Sequence, residues 1–372
     1  MKKQLFVLLP SFENYGGHEI EFLKPLKIFA NKKKFNLIYL LPKVNFIKLK
    51  EKNFRIFFGK KKNYFITKLI FTIFNFLQIY KIFSKNLKSK NTIYIDGFSF
   101  YFLISFSFYY FLFLKTKEVK LILWLRYSYE SSLKDLYLKF FITKICNLKS
   151  TVFLTENNKL KKNLRKNFKN IKLYTMPSLH NLYKYKKKTI RRDAKKNPII
   201  LCPGSYRYEK YGVNLINFLN NNFQYKFQLR ISKHSRNKIP EINKEKNYKI
   251  NYIDENLDQK SHIKEIASSD IILLPYKMPD YEYRTSGIFF EAISMNKITL
   301  ITHGTLITKD LQKFNLEKFS IKNWQNLGMK EILNLLTNKN IHKKLFRLSS
   351  YYNKINGIKP FSNKLISVYN LL

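Results

Sequence analysis

The sequence predicts an α/β protein with two domains, each built on a parallel sheet. Short apolar strands alternate with longer helical stretches along the chain, which is typical of helices layered on parallel sheets. At 372 residues, the chain is longer than one compact core usually is and suits two. Residues 181–197 are almost wholly polar, which is the composition of a linker. We therefore predict two halves of similar size joined near Ile190.

Each predicted strand is a short apolar run next to turn-forming or polar residues. In the first half the predicted strands are residues 4–9, 35–41, 92–95, 120–125, 151–155 and 173–176. In the second half they are residues 198–202, 227–232, 248–252, 271–275 and 298–302. The spacing of apolar residues predicts a helix over residues 20–31, and no internal repeat is visible.

Composition and cysteine usage exclude several classes of protein. Hydrophobic residues make up 45% of the chain, which argues against wholesale disorder. The two cysteines, Cys146 and Cys202, form neither a disulfide framework nor a metal-binding spacing, so a reducing compartment is expected. The apolar run at residues 5–9 is too short for a signal peptide and has no small-residue cleavage site after it. We predict a cytoplasmic protein, free or peripheral on the inner face of the membrane.

The formal net charge of +46 has two explanations that the sequence leaves open. Lysine is abundant together with Asn, Ile, Phe and Tyr, which share AT-rich codons, so genome composition accounts for much of the charge. The functional explanation is attraction to anionic lipid headgroups or, as a rival explained by charge alone, to nucleic acid. Nucleic acid is not predicted as a partner, because no helix-turn-helix, zinc-finger, RNP-like or KH-like signature is present.

Residues 97–114 are the one candidate for a membrane-spanning segment, because they carry no charge and are just long enough. They are dense in Phe and Tyr, include three serines and directly follow Asp96, so we favour a buried helix. The alternative is a basic, membrane-associated, non-enzymatic protein spanning the bilayer there. Residues 64–83 are also apolar but are interrupted by Lys68 and Lys81, which fits a core helix or an amphipathic helix in a membrane interface.

The most informative stretch is a strand, a loop and a helix over residues 271–294. The helix is predicted to begin at Thr285 or Ser286, because Ser286 is a good N-cap and Gly287 allows close backbone approach. Its first turn offers free amides and a positive dipole end, which suit a diphosphate. Glu291 lies one turn further on, where its carboxylate can accept hydrogen bonds from ribose hydroxyls.

This stretch resembles the glutamate motif of group 1, family 4-like glycosyltransferases of GT-B fold. In that family, a strand ending in Leu-Pro precedes two Glu separated by seven residues, and another strand follows. Glu291 matches the second, ribose-binding Glu; Tyr283 occupies the position of the first, and the adjacent Glu282 is its candidate substitute. The resemblance implies a donor-binding set of Arg284, Thr285, Ser286, Gly287 and Glu291.

A glycine turn at Gly204, directly after a predicted strand, is a plausible phosphate cradle. It resembles the family's Gly-Arg-(x)3-Glu-Lys-Gly loop, whose Arg and Lys clamp the donor diphosphate. Lys210 matches the Lys; Ser205 stands in the place of the Arg, and Arg207 is its substitute. The resemblance implies donor binding by Gly204 and Ser205 and catalytic roles for Lys210 and Arg207. The alternative is that Lys210 is merely solvated in a lysine-rich chain.

The third patch follows the first predicted strand. Gly16, Gly17 and Glu19 match the family's Gly-Gly-x-Glu turn, which faces the cleft between domains. His18 is a candidate catalytic donor to phosphate or acceptor, with an ordinary surface residue as the alternative. Arg126 follows the strand at residues 120–125, on the edge where ligands of α/β sheets bind. Arg126 is a candidate for binding an anionic acceptor or the leaving phosphate; the alternative is an ordinary surface arginine near a strand end.

Taken whole, the resemblance implies a GT-B fold: two Rossmann-like domains with parallel sheets facing across a cleft. Residues 1–185 would bind the acceptor, residues 197–355 the nucleotide sugar, and a helix in residues 356–372 would cross back to the first domain. The implied reaction is retaining transfer of a hexose-type sugar from a UDP- or GDP-sugar to a glycan or lipid-linked acceptor, in cell-surface polysaccharide synthesis. No cofactor and no metal are expected, because no Asp-x-Asp pair is present.

Overall fold

The computed structural model describes residues 3–10, 19–42, 52–56, 65–86, 91–96, 100–115, 118–125, 133–146, 148–179, 196–204, 211, 213–236, 247–254, 257–279 and 281–372. These residues fall into two compact units. The first contains the described residues from 3 to 178 together with Ile358–Leu372, and the second contains those from 179 to 357.

The first unit is built on a seven-stranded parallel sheet of order β3-β2-β1-β4-β5-β6-β7. Its strands are β1 (Gln4–Leu8), β2 (Asn36–Pro42), β3 (Lys52–Ile56), β4 (Thr92–Asp96), β5 (Lys120–Leu125), β6 (Thr151–Thr155) and β7 (Leu173–Thr175). The strands β4 and β6 are buried at every residue, as expected for a parallel sheet that helices cover on both faces.

The helices of the first unit before its last segment are α1 (Glu19–Lys32), α2 (Phe65–Asn86), α3 (Phe100–Tyr109), α4 (Leu133–Ile145) and α5 (Asn158–Asn167), and a π-helical turn, Tyr110–Leu114, continues α3. α1 connects β1 to β2, so the chain there moves towards the edge of the sheet formed by β3. α2, α3 and α4 connect β3 to β4, β4 to β5 and β5 to β6, and each of these connections moves towards the opposite edge. Right-handed crossovers therefore put α2, α3 and α4 together on the face of the sheet opposite to α1.

The second unit is built on a six-stranded parallel sheet of order β10-β9-β8-β11-β12-β13. Its strands are β8 (Ile199–Leu201), β9 (Gln228–Ser232), β10 (Lys249–Ile253), β11 (Ile271–Leu274), β12 (Ile298–Thr302) and β13 (Ser320–Ile321). Its helices are α6 (Asn214–Asn221), α7 (Gln259–Ser268), α8 (Gly287–Ser294), α9 (Thr308–Lys313), α10 (Met329–Thr337) and α11 (Lys339–Ile355), with short 3₁₀ turns at Lys233–Ser235 and Glu317–Phe319.

After Gly357, whose φ of +98° suits glycine, the chain returns to the first unit as α12 (Ile358–Tyr369). The ring of Phe361 stacks on Trp124 of β5, with centroids 5.0 Å apart. The ring of Tyr369 meets Phe29 of α1 edge-on at 5.4 Å. α12 therefore supplies part of the first unit's hydrophobic core.

The predicted α/β class with two parallel sheets is confirmed. Two strands, β3 and β13, were not expected from the sequence. Residues 100–114, within the uncharged stretch 97–114, form α3 and its π-helical turn, with Phe102, Leu103 and Phe106 fully buried. In the part of the chain that the structure describes, no helix is both long and apolar enough to cross a bilayer. Cys146 and Cys202 are buried thiols.

Candidate functional site

The topology of the second unit marks where a ligand would bind. β8 and β11 are neighbours, yet the strands after β8 add towards one edge of the sheet and those after β11 towards the other. At such a switch point, the loops leaving the two strands diverge and open a crevice at their carboxyl ends, where ligands of doubly wound sheets bind. The segments that follow β8 and β11 contain Gly204 and Ser286, both predicted to bind the donor.

The loop after β8 turns at Gly204, whose φ of +84° lies in the left-handed region that glycine adopts without strain. The predicted residues Ser205, Arg207 and Lys210 come next in the chain and lie outside the described residues. Beyond them, Tyr211 is fully buried, and its hydroxyl donates a hydrogen bond to the carbonyl oxygen of Pro203. Both ends of the loop that carries the predicted phosphate-binding residues are therefore anchored beside β8.

Stacked tyrosines join the loop after β8 to the loop after β11. The ring of Tyr276 lies parallel to that of Tyr211 at 6.2 Å and to that of Tyr281 at 3.7 Å. Burial raises the pKa of the Tyr276 and Tyr211 phenols well above the ordinary value, so both remain neutral hydrogen-bonding groups. The Tyr276 hydroxyl is 2.8 Å from Oγ of Ser286. This contact fixes the start of α8 at the switch point.

Ser286 is the N-cap of α8, as the sequence predicts. Its Oγ accepts a hydrogen bond from the backbone N–H of Phe289 at 3.2 Å, and its backbone is extended. The amides of Gly287 and Ile288 occupy first-turn positions, which have no acceptor within a helix. Together with the positive end of the helix dipole, they suit an anionic group. Arg284 is exposed two residues before the cap.

Glu291 lies in the second turn of α8, and its side chain is only 3% exposed. The structure buries this carboxylate and pairs it with His262 of α7. Oε2 of Glu291 is 3.0 Å from Nε2 of His262, whose own side chain is 30% exposed. A buried carboxylate needs such a hydrogen-bond partner to offset its loss of water. Nothing local in the sequence signals His262, because the two residues are 29 positions apart.

The carboxyl ends of β9 and β10 are polar and were not singled out from the sequence. Oγ of Ser232 accepts a hydrogen bond from the backbone N–H of His234 at 3.2 Å, which shapes the turn after β9. Nζ of Lys233 lies 2.9 Å from Oδ1 of Asp254, the residue that follows β10. Both side chains of that ion pair are largely exposed, so it contributes little stability. These groups make the edge of the sheet that carries the site polar.

The predicted donor-binding residues that the structure describes belong to two segments of the second unit. They are Gly204 after β8, and Arg284, Thr285, Ser286, Gly287 and Glu291 around the start of α8. The other predicted residues, Gly16, Gly17, His18, Arg126, Ser205, Arg207 and Lys210, lie outside the described residues. Glu19 begins α1, and nothing is described of its side chain. The roles of all these residues stay predictions.

Comparison with solved structures identifies the fold. HepE from Anabaena, solved in complex with UDP and glucose, matches with a TM-score of 0.66 at 10% identity, over 99% of this chain and 100% of that one. The fold is GT-B. The lipopolysaccharide outer core galactosyltransferase WaaB matches with a TM-score of 0.63 at 12% identity, over 99% of this chain and 100% of that one. A trehalose 6-phosphate synthase from Burkholderia multivorans matches with a TM-score of 0.62 at 8% identity, over 100% of this chain and 98% of that one.

The predicted GT-B fold is thus confirmed, whereas the narrower likeness to family 4 stays a prediction. No family model matches the chain. No curated protein matches it either. At identities of 8–12%, the structural likeness establishes the GT-B fold alone.

Proposed function

We propose that this GT-B protein is a glycosyltransferase whose second unit binds a nucleotide-sugar donor. The observation that carries the proposal is the capped start of α8 at the switch point of the sheet, with a buried carboxylate one turn further along the same helix. HepE, which has the same fold, was solved with UDP and glucose, which supports a UDP-sugar as the first donor to test. A GDP-sugar is the next.

In this proposal, the donor diphosphate lies at the start of α8, against the amides of Gly287 and Ile288. Arg207 and Lys210, on the loop after Gly204, supply positive charge to the same phosphates. The ribose hydroxyls donate to the carboxylate of Glu291. His262 already holds one oxygen of that carboxylate, so it fixes the direction in which the carboxylate meets the ribose.

The reaction breaks the bond between the anomeric carbon of the sugar and the diphosphate. The oxygen of an acceptor hydroxyl forms the new bond to that carbon, and its proton passes to the departing diphosphate. Negative charge develops on the departing diphosphate, where Lys210, Arg207 and the α8 amides would stabilise it. Because these groups supply the neutralising charge, we propose a metal-independent reaction that needs no cofactor. Retention of configuration at the anomeric carbon is proposed on the resemblance alone.

The proposed acceptor is a glycan or a lipid-linked glycan precursor, and the proposed role is cell-surface polysaccharide synthesis. WaaB, which shares the fold, is a lipopolysaccharide galactosyltransferase, which supports an acceptor of this class. Gly16, Gly17, His18, Glu19 and Arg126 are the residues we propose on the acceptor side. The two buried cysteine thiols fit a reducing compartment such as the cytoplasm.

A thermal-unfolding screen against UDP-, GDP-, ADP- and TDP-sugars tests the proposal directly. A ligand that binds only the folded state raises its stability, by about 2.7 kcal/mol when the free ligand is at about 100 times its Kd. We expect one nucleotide class to raise the unfolding temperature of the wild type and to do so less for Glu291→Gln. If none of the four classes shifts the wild type, the second unit does not bind a nucleotide sugar and the proposal fails.

A further inference from the structure

The face of the first unit formed by α2, α3 with its π-helical turn, and α4 exposes many large apolar side chains. Ten of the fifteen exposed large apolar side chains among the described residues lie on these three helices, so the exposure is concentrated and not scattered. The six most exposed are between 53% and 64% accessible: Phe74, Leu77, Phe108, Leu112, Leu136 and Phe140. We call this surface the apolar face.

The apolar face is continuous across the three helices. Within each helix its residues recur three or four positions apart, so they lie on one side. The rings of Tyr80 on α2 and Phe113 on the π-helical turn are 5.4 Å apart, which joins the first two helices. The ring of Phe111 is 5.9 Å from that of Phe141, which is fully buried, so the π-helical turn packs against α4 beneath the exposed residues.

These helices have already buried their opposite side. Phe83 of α2 meets Phe6 of β1 edge-on at 5.0 Å, and Phe106 of α3 meets Phe141 of α4 at 6.2 Å. The exposed apolar residues are therefore additional to those that the core requires. Helices that are apolar on both sides are typical of segments that meet a second apolar phase.

The charges around the apolar face select the partner. α2 and α3 with its π-helical turn contain no acidic residue, and α4 contains Asp135 alone. Exposed lysines accompany the apolar residues on the same elements or directly after them: Lys81, Lys85, Lys115, Lys139 and Lys144. A second copy of the chain would set lysines against lysines across a two-fold interface. An anionic lipid surface instead offers negative headgroups to the lysines and a hydrocarbon boundary to the aromatic and aliphatic side chains.

We propose that the apolar face docks the protein on membranes that contain anionic lipids. The helices lie in the plane of the interface, with the apolar side chains at the boundary between headgroups and acyl chains and the lysine ammonium groups among the lipid phosphates. This docking belongs to the first unit and does not rest on the donor site of the second. Sugar binding and lipid binding are therefore separately testable.

Vesicle flotation of the purified 372-residue chain tests the proposal. We expect binding to vesicles of phosphatidylcholine mixed with phosphatidylglycerol, and weak binding to phosphatidylcholine alone. The double substitution Phe108→Glu with Leu112→Glu removes apolar contact, so the molar partition coefficient should fall about tenfold or more. Lys139→Gln with Lys144→Gln should weaken binding to the mixed vesicles and reduce its dependence on salt.

Phe346→Glu is the matched control, because Phe346 is 56% exposed, as is Phe108, but lies on α11 of the second unit. It adds the same kind of charge to the same kind of site, and the partition should stay within about twofold of wild type. Leu136→Ser with Phe140→Ser provides a second route if the glutamate variant does not fold, as judged by circular dichroism and unfolding temperature.

Three results would overturn the proposal. The first is an apolar-face variant that folds and still binds the vesicles with the same partition coefficient as the wild type. The second is equal loss of binding in Phe346→Glu, which would make the interaction one of net charge only. The third is a dimer in light scattering that the apolar-face substitutions dissociate while lipid binding is absent, which would assign the face to self-association.

Discussion

The carboxylate of Glu291 and the imidazole of His262 meet at 3.0 Å between Oε2 and Nε2, linking α8 to α7 inside the second unit. Glu291 is almost wholly buried, whereas His262 is partly exposed. The pair thus connects a buried acceptor of hydrogen bonds to the protein surface, and any ligand that uses the Glu291 carboxylate must accommodate His262.

Glu291→Gln should weaken donor binding with limited loss of stability. The amide keeps a carbonyl oxygen near His262 but loses the charge that strengthens hydrogen bonds to ribose hydroxyls. A hydrogen bond to a charged group contributes roughly 1.5–3 kcal/mol, so donor affinity should fall by about one to two decades. Titration calorimetry with the donor found in the screen measures the effect. Unchanged affinity would make Glu291 a purely structural residue.

His262→Ala should lower both stability and donor affinity, because it removes a hydrogen bond to a buried carboxylate. The expected cost in the free energy of unfolding is roughly 1–3 kcal/mol, measured by urea denaturation. His262→Gln retains an N–H donor and should recover much of both quantities. If the Gln variant recovers stability but not donor affinity, the imidazole itself takes part in binding. If His262→Ala changes neither quantity, the pair has no role.

Ser286→Ala should destabilise the start of α8, since it removes the side-chain oxygen that accepts from the Phe289 amide. Loss of a serine cap costs about 1 kcal/mol. It also removes the contact with the Tyr276 hydroxyl, so the loss should exceed that of Tyr276→Phe, which leaves the cap in place. Equal destabilisation of the two variants in urea unfolding would show that the cap itself contributes nothing.

Phe361→Ala should destabilise the first unit, because this fully buried ring packs on Trp124. Truncation of a buried Phe costs about 3–5 kcal/mol, and Phe361→Leu should cost less because it leaves a smaller cavity. Trp124 fluorescence during denaturation reports on the first unit, although Trp324 of the second unit also emits. A Trp324→Phe background isolates the signal. Loss of stability confined to the second unit would contradict the packing described for α12.

The protein should lose stability in strong alkali. Burial raises the pKa of Tyr248 to about 12, and it raises the pKa values of Tyr109 and Tyr110 to about 12 as well. A tyrosine in the unfolded chain has a pKa near 10. The stabilisation from burying the neutral phenols is therefore complete below about pH 10 and is lost as the pH rises towards the pKa of the folded state. Unfolding temperature measured from pH 9 to 11.5 should therefore fall, and less steeply for Tyr248→Phe. A flat profile would contradict burial of these phenols.

Much of the fold was predictable because the strands of a parallel sheet are short apolar runs. β12 is predicted and observed over the same five residues, all of them buried. β3 was missed because its sequence, Lys-Asn-Phe-Arg-Ile, is mostly polar, which an edge strand paired only to β2 tolerates. The two residues of β13 are too few to form a pattern.

The candidate site was predictable where its signals are local. Ser286 is a favoured N-cap residue and Gly287 follows it, so these two residues by themselves predict the start of α8. The partnership of Glu291 with His262 depends on how α7 packs beside α8, which no local pattern encodes. The same limit applies to Phe108 and Leu112, because hydrophobicity predicts burial and only the packing of α2, α3 and α4 shows which side remains exposed.

The position of α12 makes the second unit an insertion within the first. During synthesis, β1 to β7 are complete more than 170 residues before α12, whose Phe361 covers Trp124, leaves the ribosome. Until then the first unit would have an open hydrophobic seam beside α1. The nascent chain therefore has an interval in which its earlier half is collapsed but incomplete, when chaperones and misfolding compete for it.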